Sequence, residues 1–171
     1  PSADGAASRL ARELRAGGLT ASALAYAAKL RVHDVLTYEY GATSVRTTAA
    51  EALARGAGVC QDYAHGLLAL TRRLGLASRY VSGQLLGFGG SHAWVEVLVP
   101  DGDGRAQELS LDPTHGCATG NRHVPVAVGR DYAVVTPLSG AYRAPYARSL
   151  TAPKPVSLPY LAPDHTARPA S

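Results

Sequence analysis

One of the chain's two cysteines lies in the segment GVCQDYAH, residues 58–65, between a glycine-containing turn and an apolar, helix-like run. At the first turn of a helix, unpaired backbone N–H groups and the helix dipole stabilise a thiolate and lower the pKa of the thiol. The same N–H groups can hold a developing oxyanion. Cys60 is therefore a candidate nucleophile, although on this position alone a small, buried and unreactive cysteine is equally consistent.

Two further residues occupy positions from which they would support a reactive thiol. His92 begins the predicted strand HAWVEVLV after the loop GFGGS, so its ring would have a fixed place and an open approach. Asp112 ends the predicted strand ELSLD, where its carboxylate can accept from the second ring nitrogen of a histidine and fix its tautomer. Taken singly, an ordinary edge-strand histidine and a turn-forming Asp-Pro are the simpler interpretations. Taken together with Cys60, the two residues favour nucleophilic catalysis.

Three other residues are candidates for lining the substrate or the oxyanion. Gln61 follows the thiol, and its side-chain amide could donate to the oxyanion or to a substrate amide. Trp94 shares a strand face with His92, where it could shield the site from water or fill the core. Tyr38 lies in the loop before the nucleophile, as a cleft residue or as a surface aromatic.

A metal site is only weakly indicated. His115, Cys117 and His123 follow Asp112 at spacings that match no standard zinc pattern. The segment GQLLGFGG lacks the Gly-Lys-Ser/Thr of a phosphate loop. The sequence therefore predicts neither a metal nor another cofactor.

Helices and strands that would position these residues can be predicted from the apolar pattern. A helix is expected from residue 20, a short one over TAAEALARG with Thr48 and Glu51 as a capping box, and a third from Cys60 to about Leu74. SRYVSGQLLG, HAWVEVLV and AQELSLD alternate with period two and predict three successive strands, and VPVAVG is a candidate fourth. Helices followed by an antiparallel meander predict an α+β fold.

The ends of the chain carry weaker patterns. Residues 1–18 are polar and rich in Ala and Gly, which suggests a partly ordered lead-in, and residues 144–171 form a Pro-rich tail. A single catalytic domain is expected over residues 19–143. The chain does not begin with Met, which processing or excision of a domain from a longer protein would explain equally well. A partner domain or protein outside this chain is possible.

Composition excludes several classes of function. The net charge of +4 is modest and the basic residues are scattered, which argues against a nucleic-acid partner. No apolar run is long enough for a membrane span, and the first residues have no signal-peptide core. Two cysteines cannot form a disulfide framework, which fits a reducing compartment and predicts a cytoplasmic protein.

Four ordered segments carry a resemblance to a known family: GVCQDYAHGLLALTRRLGLASRYVSG, SHAWVEV, LDPTHG and HVPVAVGRDYAVVTPLSGAYR. Over about residues 37–143 they resemble the core of the bacterial transglutaminase-like superfamily. The resemblance implies a papain-like core in circularly permuted order, with the nucleophile helix packed on an antiparallel sheet. It also implies a triad, with Cys60 as nucleophile, His92 as general base and acid, and Asp112 as the orienting carboxylate.

Two departures from the family pattern are visible. The segment before Asp112 reads AQELSL where family members are often aromatic, so the pocket wall is expected to differ. No acidic cluster resembles the calcium sites of animal transglutaminases, so calcium dependence is not predicted.

The implied chemistry is amide-bond chemistry through a Cys60 acyl-enzyme, on peptide or protein substrates. Hydrolysis, as in a cysteine peptidase or amidase, is favoured over transglutaminase-type acyl transfer from glutamine to an amine. A non-catalytic binding domain that retains the fold is the alternative from another class, and the intact triad argues against it.

Overall fold

The computed structural model describes residues 4–88 and 90–136 and packs helices against one face of an antiparallel sheet. The helices are α1 Asp4–Arg15, α2 Ala21–Val35, α3 Ala49–Arg55 and α4 Cys60–Arg73, with a 3₁₀ turn at Tyr132–Val134. The strands are β1 Thr37–Tyr38, β2 Ala57–Gly58, β3 Ala77–Leu85, β4 Ser91–Pro100, β5 Ala106–Asp112, β6 Cys117–Ala118 and β7 His123–Gly129. The α+β prediction and the meander of three strands are confirmed.

The main sheet has the order β6-β5-β4-β3-β7, and all its neighbouring strands are antiparallel. The candidate strand VPVAVG is confirmed as part of β7, which pairs with the outer side of β3. Residues 119–122 alone connect β6 at one edge of the sheet to β7 at the other. The sheet is therefore strongly curved at this end, and the curvature brings the ends of β5 and β7 together.

Alternation along β4 directs one set of side chains into the main core. Ala93, Val95, Val97 and Val99 are buried in a cluster with apolar residues of α4 such as Leu67. This packing holds the start of α4 against β4, the two elements that carry Cys60 and His92. The predicted helices from residue 20 and from Cys60 are both confirmed.

Helix α3 begins and ends at the residues that the sequence predicts. Thr48 accepts from the backbone N–H of Glu51 at 3.3 Å, and the Glu51 carboxylate accepts from the backbone N–H of Thr48 at 2.8 Å. Gly56 ends the helix in the left-handed conformation, at φ 75°. The predicted capping box is therefore confirmed, and the helix ends at the glycine that closes the predicted segment TAAEALARG.

The N-terminal segment is more regular than the partly ordered lead-in predicted for residues 1–18, because Asp4–Arg15 form α1. Ala7, Leu10 and Ala11 are buried in the main core. The Arg73 side chain of α4 donates to Ser8 at 3.3 Å. An apolar stripe made largely of alanine gives a weak sequence signal, and the helix is stabilised by its packing on α4.

Two observations bear on the remaining sequence predictions. The helices within residues 4–88 and 90–136 include none with the length and apolar character needed to cross a membrane. The predicted C-terminal tail, residues 144–171, lies outside the described residues, and the predicted domain boundaries stay a prediction.

Candidate active site

The start of α4 is fixed by a buried carboxylate one turn along the helix. Asp62 accepts from the backbone N–H of Val59 at 2.8 Å and from the Thr43 hydroxyl at 2.5 Å. A Cβ on Gly58 would lie 2.6 Å from the Asp62 Cβ, so this close approach requires glycine. Asp62 therefore caps the start of the helix that carries Cys60.

Cys60 is partly buried against the segment that carries His92. Its Sγ lies 4.0 Å from the carbonyl oxygen of Ser91, and the backbone N–H groups of Gln61 and Ala93 donate to the sulphur. Burial raises the pKa of the Cys60 thiol to about 11, although these two N–H groups act in the opposite direction. The expectation that the helix start lowers the pKa of Cys60 is wrong, because desolvation of the buried thiol outweighs the effect of the N–H groups.

His92 lies on β4 with its ring directed at the end of β5. Its Nε2 is 2.8 Å from Oδ2 of Asp112, and its side chain is 8% exposed. Trp94 packs beside the ring with a centroid separation of 6.1 Å. The strand and the tryptophan together hold the imidazole in place.

Asp112 accepts hydrogen bonds from three histidine rings, of which the sequence predicted one. His115 Nδ1 lies 2.8 Å and His123 Nε2 3.0 Å from the same Oδ2 that His92 contacts. The other oxygen, Oδ1, accepts the backbone N–H of Thr114 at 2.8 Å and that of His115 at 3.2 Å. The carboxylate is fully buried and is the centre of the site.

The charge state of Asp112 follows from this environment. Burial by itself would raise its pKa, but the hydrogen bonds from His92, His123 and His115 and the charge interaction with His92 lower the pKa below its usual value. The carboxylate is therefore ionised and can only accept hydrogen bonds.

An ionised Asp112 fixes the tautomer of each ring that faces it. His92 must carry its proton on Nε2, which leaves Nδ1 as the nitrogen that can take a proton from Cys60. His123 donates from Nε2 and accepts the backbone N–H of Gly120 on Nδ1 at 3.1 Å, so both its nitrogens are used. His115 donates from Nδ1, and its Nε2 is left as an acceptor.

A cleft of about 570 Å³ opens over the thiol. Its lining includes both proposed reacting groups, three aromatic side chains and a second histidine: Tyr38, Tyr40, Cys60, Phe88, Gly90, Ser91, His92, Thr114 and His115. Among these described lining residues there is no Lys, Arg, Asp or Glu. The volume is within the range of about 300–1,000 Å³ that is usual for ligand pockets.

The three residues predicted to line the site occupy different positions. Tyr38 lies in the cleft wall, placed there by the pairing of β1 with β2. The Gln61 side chain donates to the carbonyl oxygen of Val45 at 3.3 Å, which ties the helix start to the preceding loop. Trp94 is buried, 2% exposed, and packs against His92 and His123.

The two additional histidines differ in how far the sequence could have identified them. His115 lies in an Asp-Pro turn, and such turns fold back onto the aspartate, so DPTH is a local signal for its proximity to Asp112. His123 has no such signal. Three strand spacings separate β5 from β7, about 14 Å in a flat sheet, and only the curvature of this sheet closes that distance.

Two groups of side chains around Asp112 have potential metal-ligand atoms within 4.8 Å of one another. One comprises His92, Asp112 and His115, and the other Asp112, Cys117 and His123. Each ring nitrogen that contacts the carboxylate already carries a proton in the hydrogen-bond arrangement above. A cation would have to displace these protons, so we assign the contacts to hydrogen bonding.

Comparison with solved structures agrees with this fold. A candidate cysteine protease from Cytophaga hutchinsonii is 30% identical over 66% of this chain and 38% of that chain, with a TM-score of 0.57. LapG from Legionella pneumophila is 16% identical, with a TM-score of 0.53 over 69% of this chain and 67% of that chain. The second similarity concerns the fold alone.

Comparison with known sequences identifies the family. Uncharacterized proteins of Mycobacterium tuberculosis and Mycobacterium bovis are 40% identical over 121 residues, which is 64% of this chain. The match covers 38% of the length of those relatives. Residues 8–104 match the family model of the transglutaminase-like superfamily. The match covers more than half of the chain, and the chain belongs to the transglutaminase-like superfamily.

Proposed function

We propose that this chain is a thiol-dependent amide-bond enzyme in which Cys60 attacks, His92 transfers the proton and Asp112 orients His92. The observation that carries the proposal is the contact of His92 Nε2 with the ionised Asp112 carboxylate at 2.8 Å, beside the cleft that is lined by both His92 and Cys60. A base with its free nitrogen fixed in one place is what an un-ionised thiol needs.

The raised pKa of Cys60 assigns the first step to His92. The resting thiol is protonated at neutral pH, so His92 Nδ1 takes the proton as the sulphur forms its bond to the substrate carbonyl carbon. Asp112 stabilises the resulting imidazolium without itself being protonated. Backbone N–H groups at the start of α4 hold the oxyanion, which is the role predicted for this helix start.

Collapse of the tetrahedral intermediate gives the acyl-enzyme. The C–N bond breaks, His92 returns its proton to the leaving amine, and the acyl group stays on Cys60 as a thioester. Water then releases an acid, whereas an amine would give a new amide. We propose hydrolysis of peptide or protein amides as the main outcome, with acyl transfer as the alternative outcome of the same chemistry.

The cleft lining suggests the substrate class. Tyr38, Tyr40 and Phe88 are 55%, 92% and 66% exposed, so aromatic surface is open to solvent beside the thiol. No formally charged side chain occurs among the described lining residues. Peptides with uncharged, preferably apolar side chains around the scissile carbonyl are therefore the proposed substrates. The similarity to a candidate cysteine protease supports peptide or protein substrates in general.

A mass-spectrometric screen tests the proposal and separates its outcomes. The protein is incubated with glutamine-containing peptides of varied flanking residues, with and without a primary amine. Chain cleavage, deamidation and amine incorporation each give a distinct mass change. Cys60→Ala should abolish every product, and Cys117→Ala is the matched control, because it removes the chain's other thiol and should retain them.

Each outcome of the screen supports a different candidate function. Cleavage or deamidation that depends on Cys60 supports hydrolysis, and amine incorporation in its place supports acyl transfer. Products that persist in Cys60→Ala would overturn the thiol mechanism. A complete absence of products across apolar, polar and charged peptides would favour a binding domain that retains the fold.

A further inference from the structure

The cleft contains a second imidazole, that of His115, which contacts the same oxygen of Asp112 as His92 does. His115 Nδ1 lies 2.8 Å from Oδ2 of Asp112, the same separation as His92 Nε2 from that oxygen. The two ring centroids are 5.2 Å apart. One ionised carboxylate therefore orients two rings within one cleft.

The two rings differ in their access to solvent. The His92 side chain is 8% exposed and lies beside the segment that contacts the thiol, whereas the His115 side chain is 35% exposed and lines the outer cleft. Phe88 packs edge-on against the His115 ring, with centroids 5.5 Å apart. His115 is thus held from two sides and still meets the solvent from which an acyl acceptor would arrive.

The hydrogen bond to Asp112 uses one ring nitrogen of His115 and leaves the other available for chemistry. Its Nδ1 must donate to the ionised Asp112, so the neutral ring carries an unprotonated Nε2. An acceptor nitrogen beside an anionic carboxylate is suited to take a proton, because the carboxylate stabilises the imidazolium. His123 cannot take this role, since its Nδ1 already accepts from the backbone of Gly120.

We propose that His115 is a second catalytic base, which takes a proton from the acyl acceptor while His92 serves the thiol. The inference rests on the proposed acyl-enzyme chemistry. In this step the acceptor, water, gives one proton to His115 Nε2 as its oxygen bonds to the thioester carbonyl carbon. The C–S bond then breaks, and the Cys60 thiolate recovers a proton from the His115 imidazolium through the solvent in the cleft.

Separate measurement of acylation and deacylation tests this division. p-Nitrophenyl acetate is the probe, because the burst of p-nitrophenolate reports acetylation of the thiol and the following steady rate reports its hydrolysis. The Cys117→Ala background leaves Cys60 as the only thiol in the chain. Intact-protein mass spectrometry then measures the acetylated fraction directly.

In this background, His115→Ala should leave the burst rate within about threefold and slow the steady rate about 100-fold, the usual scale for a general base. Acetyl-enzyme should accumulate, and added imidazole should restore its hydrolysis. His115→Gln, which keeps a polar side chain, should show the same split without rescue. His33→Gln is the matched control, because it removes an imidazole that contacts the same turn, at the carbonyl oxygen of Pro113, but does not line the cleft; both its phases should persist.

Three results would overturn the inference. If burst and steady rates fall together in both His115 variants, the ring only supports the structure of the site. If neither rate changes, His92 serves both steps. If wild type shows no Cys60-dependent burst, the proposed function itself fails. A normal burst with unaltered hydrolysis in the His115 variants would instead reject only the role proposed for His115.

Discussion

Replacing His92 with glutamine is expected to slow alkylation of Cys60 about 100-fold at pH 7. Burial raises the pKa of the Cys60 thiol to about 11, so without a base only about one molecule in 10⁴ would carry a thiolate at pH 7. His92 Nδ1 is the group that can remove the proton, because Asp112 holds the proton of Nε2. Glutamine fills much of the same space and removes that base.

The expected magnitude combines two opposing effects. If transfer to His92 brings the effective pKa of the thiol to about 7, the thiolate fraction rises by about 10⁴, while the lower basicity of the sulphur reduces its nucleophilicity by roughly 10² at a Brønsted slope of about 0.45. The net acceleration is about 10². If the helix start alone lowered the pKa of Cys60, the thiol would need no base, and its alkylation rate would show almost no dependence on His92.

The assay uses the second cysteine as an internal reference. Both proteins are treated with iodoacetamide, and peptide mass spectrometry follows labelling of Cys60 and of Cys117, which is exposed. Cys60 should react much faster than Cys117 in wild type and lose that advantage in His92→Gln, while the rate at Cys117 stays the same. Equal rates at Cys60 in the two proteins would refute the assignment of His92 as the base of this thiol.

Two further predictions concern the structure of the site. Asp112→Asn should lower the free energy of unfolding by about 3 kcal/mol in urea titrations, because one amide oxygen cannot replace a buried carboxylate that accepts five hydrogen bonds. The pKa of Asp112 is lower in the folded state, so its stabilisation is present above its unfolded pKa of about 3.9 and is lost as the pH falls through the folded value. The free energies of unfolding of wild type and Asp112→Asn should therefore converge at acid pH. A constant difference at all pH values would contradict this account. Gly83→Ala should destabilise the sheet by about 3 kcal/mol or prevent folding, because a Cβ there would overlap the Trp94 ring and a carbonyl oxygen of β7. Normal thermal stability of Gly83→Ala would show that β3 and β7 can separate at this point.

Much of the fold follows from local patterns. Period two predicts β3, β4 and β5, and the capping box predicts the start of α3. Each of these signals lies within about ten residues of sequence, where side-chain periodicity and capping act directly. Helix α1 was not predicted, because its apolar stripe is mainly alanine and its stability comes from contact with α4.

The chemistry of the candidate site was less predictable than its placement. Cys60, His92 and Asp112 could be proposed from the sequence because each lies at the start or end of a regular element, and the structure places Cys60 and His92 in one cleft and Asp112 against His92. The pKa of Cys60 was not, because a helix start lowers it locally while tertiary burial raises it by more. The convergence of His123 on Asp112 depends on the curvature of the whole sheet, which no short segment encodes.

The three rings bound to Asp112 also indicate how much of the chain the site requires. The family match ends at residue 104, so it contains Cys60 and His92 but neither Asp112 nor its two other histidine donors. An ionised carboxylate that is fully buried is stable only when its hydrogen bonds are made, and these come from β4, from the turn after β5 and from β7. Folding of the curved sheet and assembly of the site are therefore one event, and the smallest unit that can orient His92 in this way extends at least through β7.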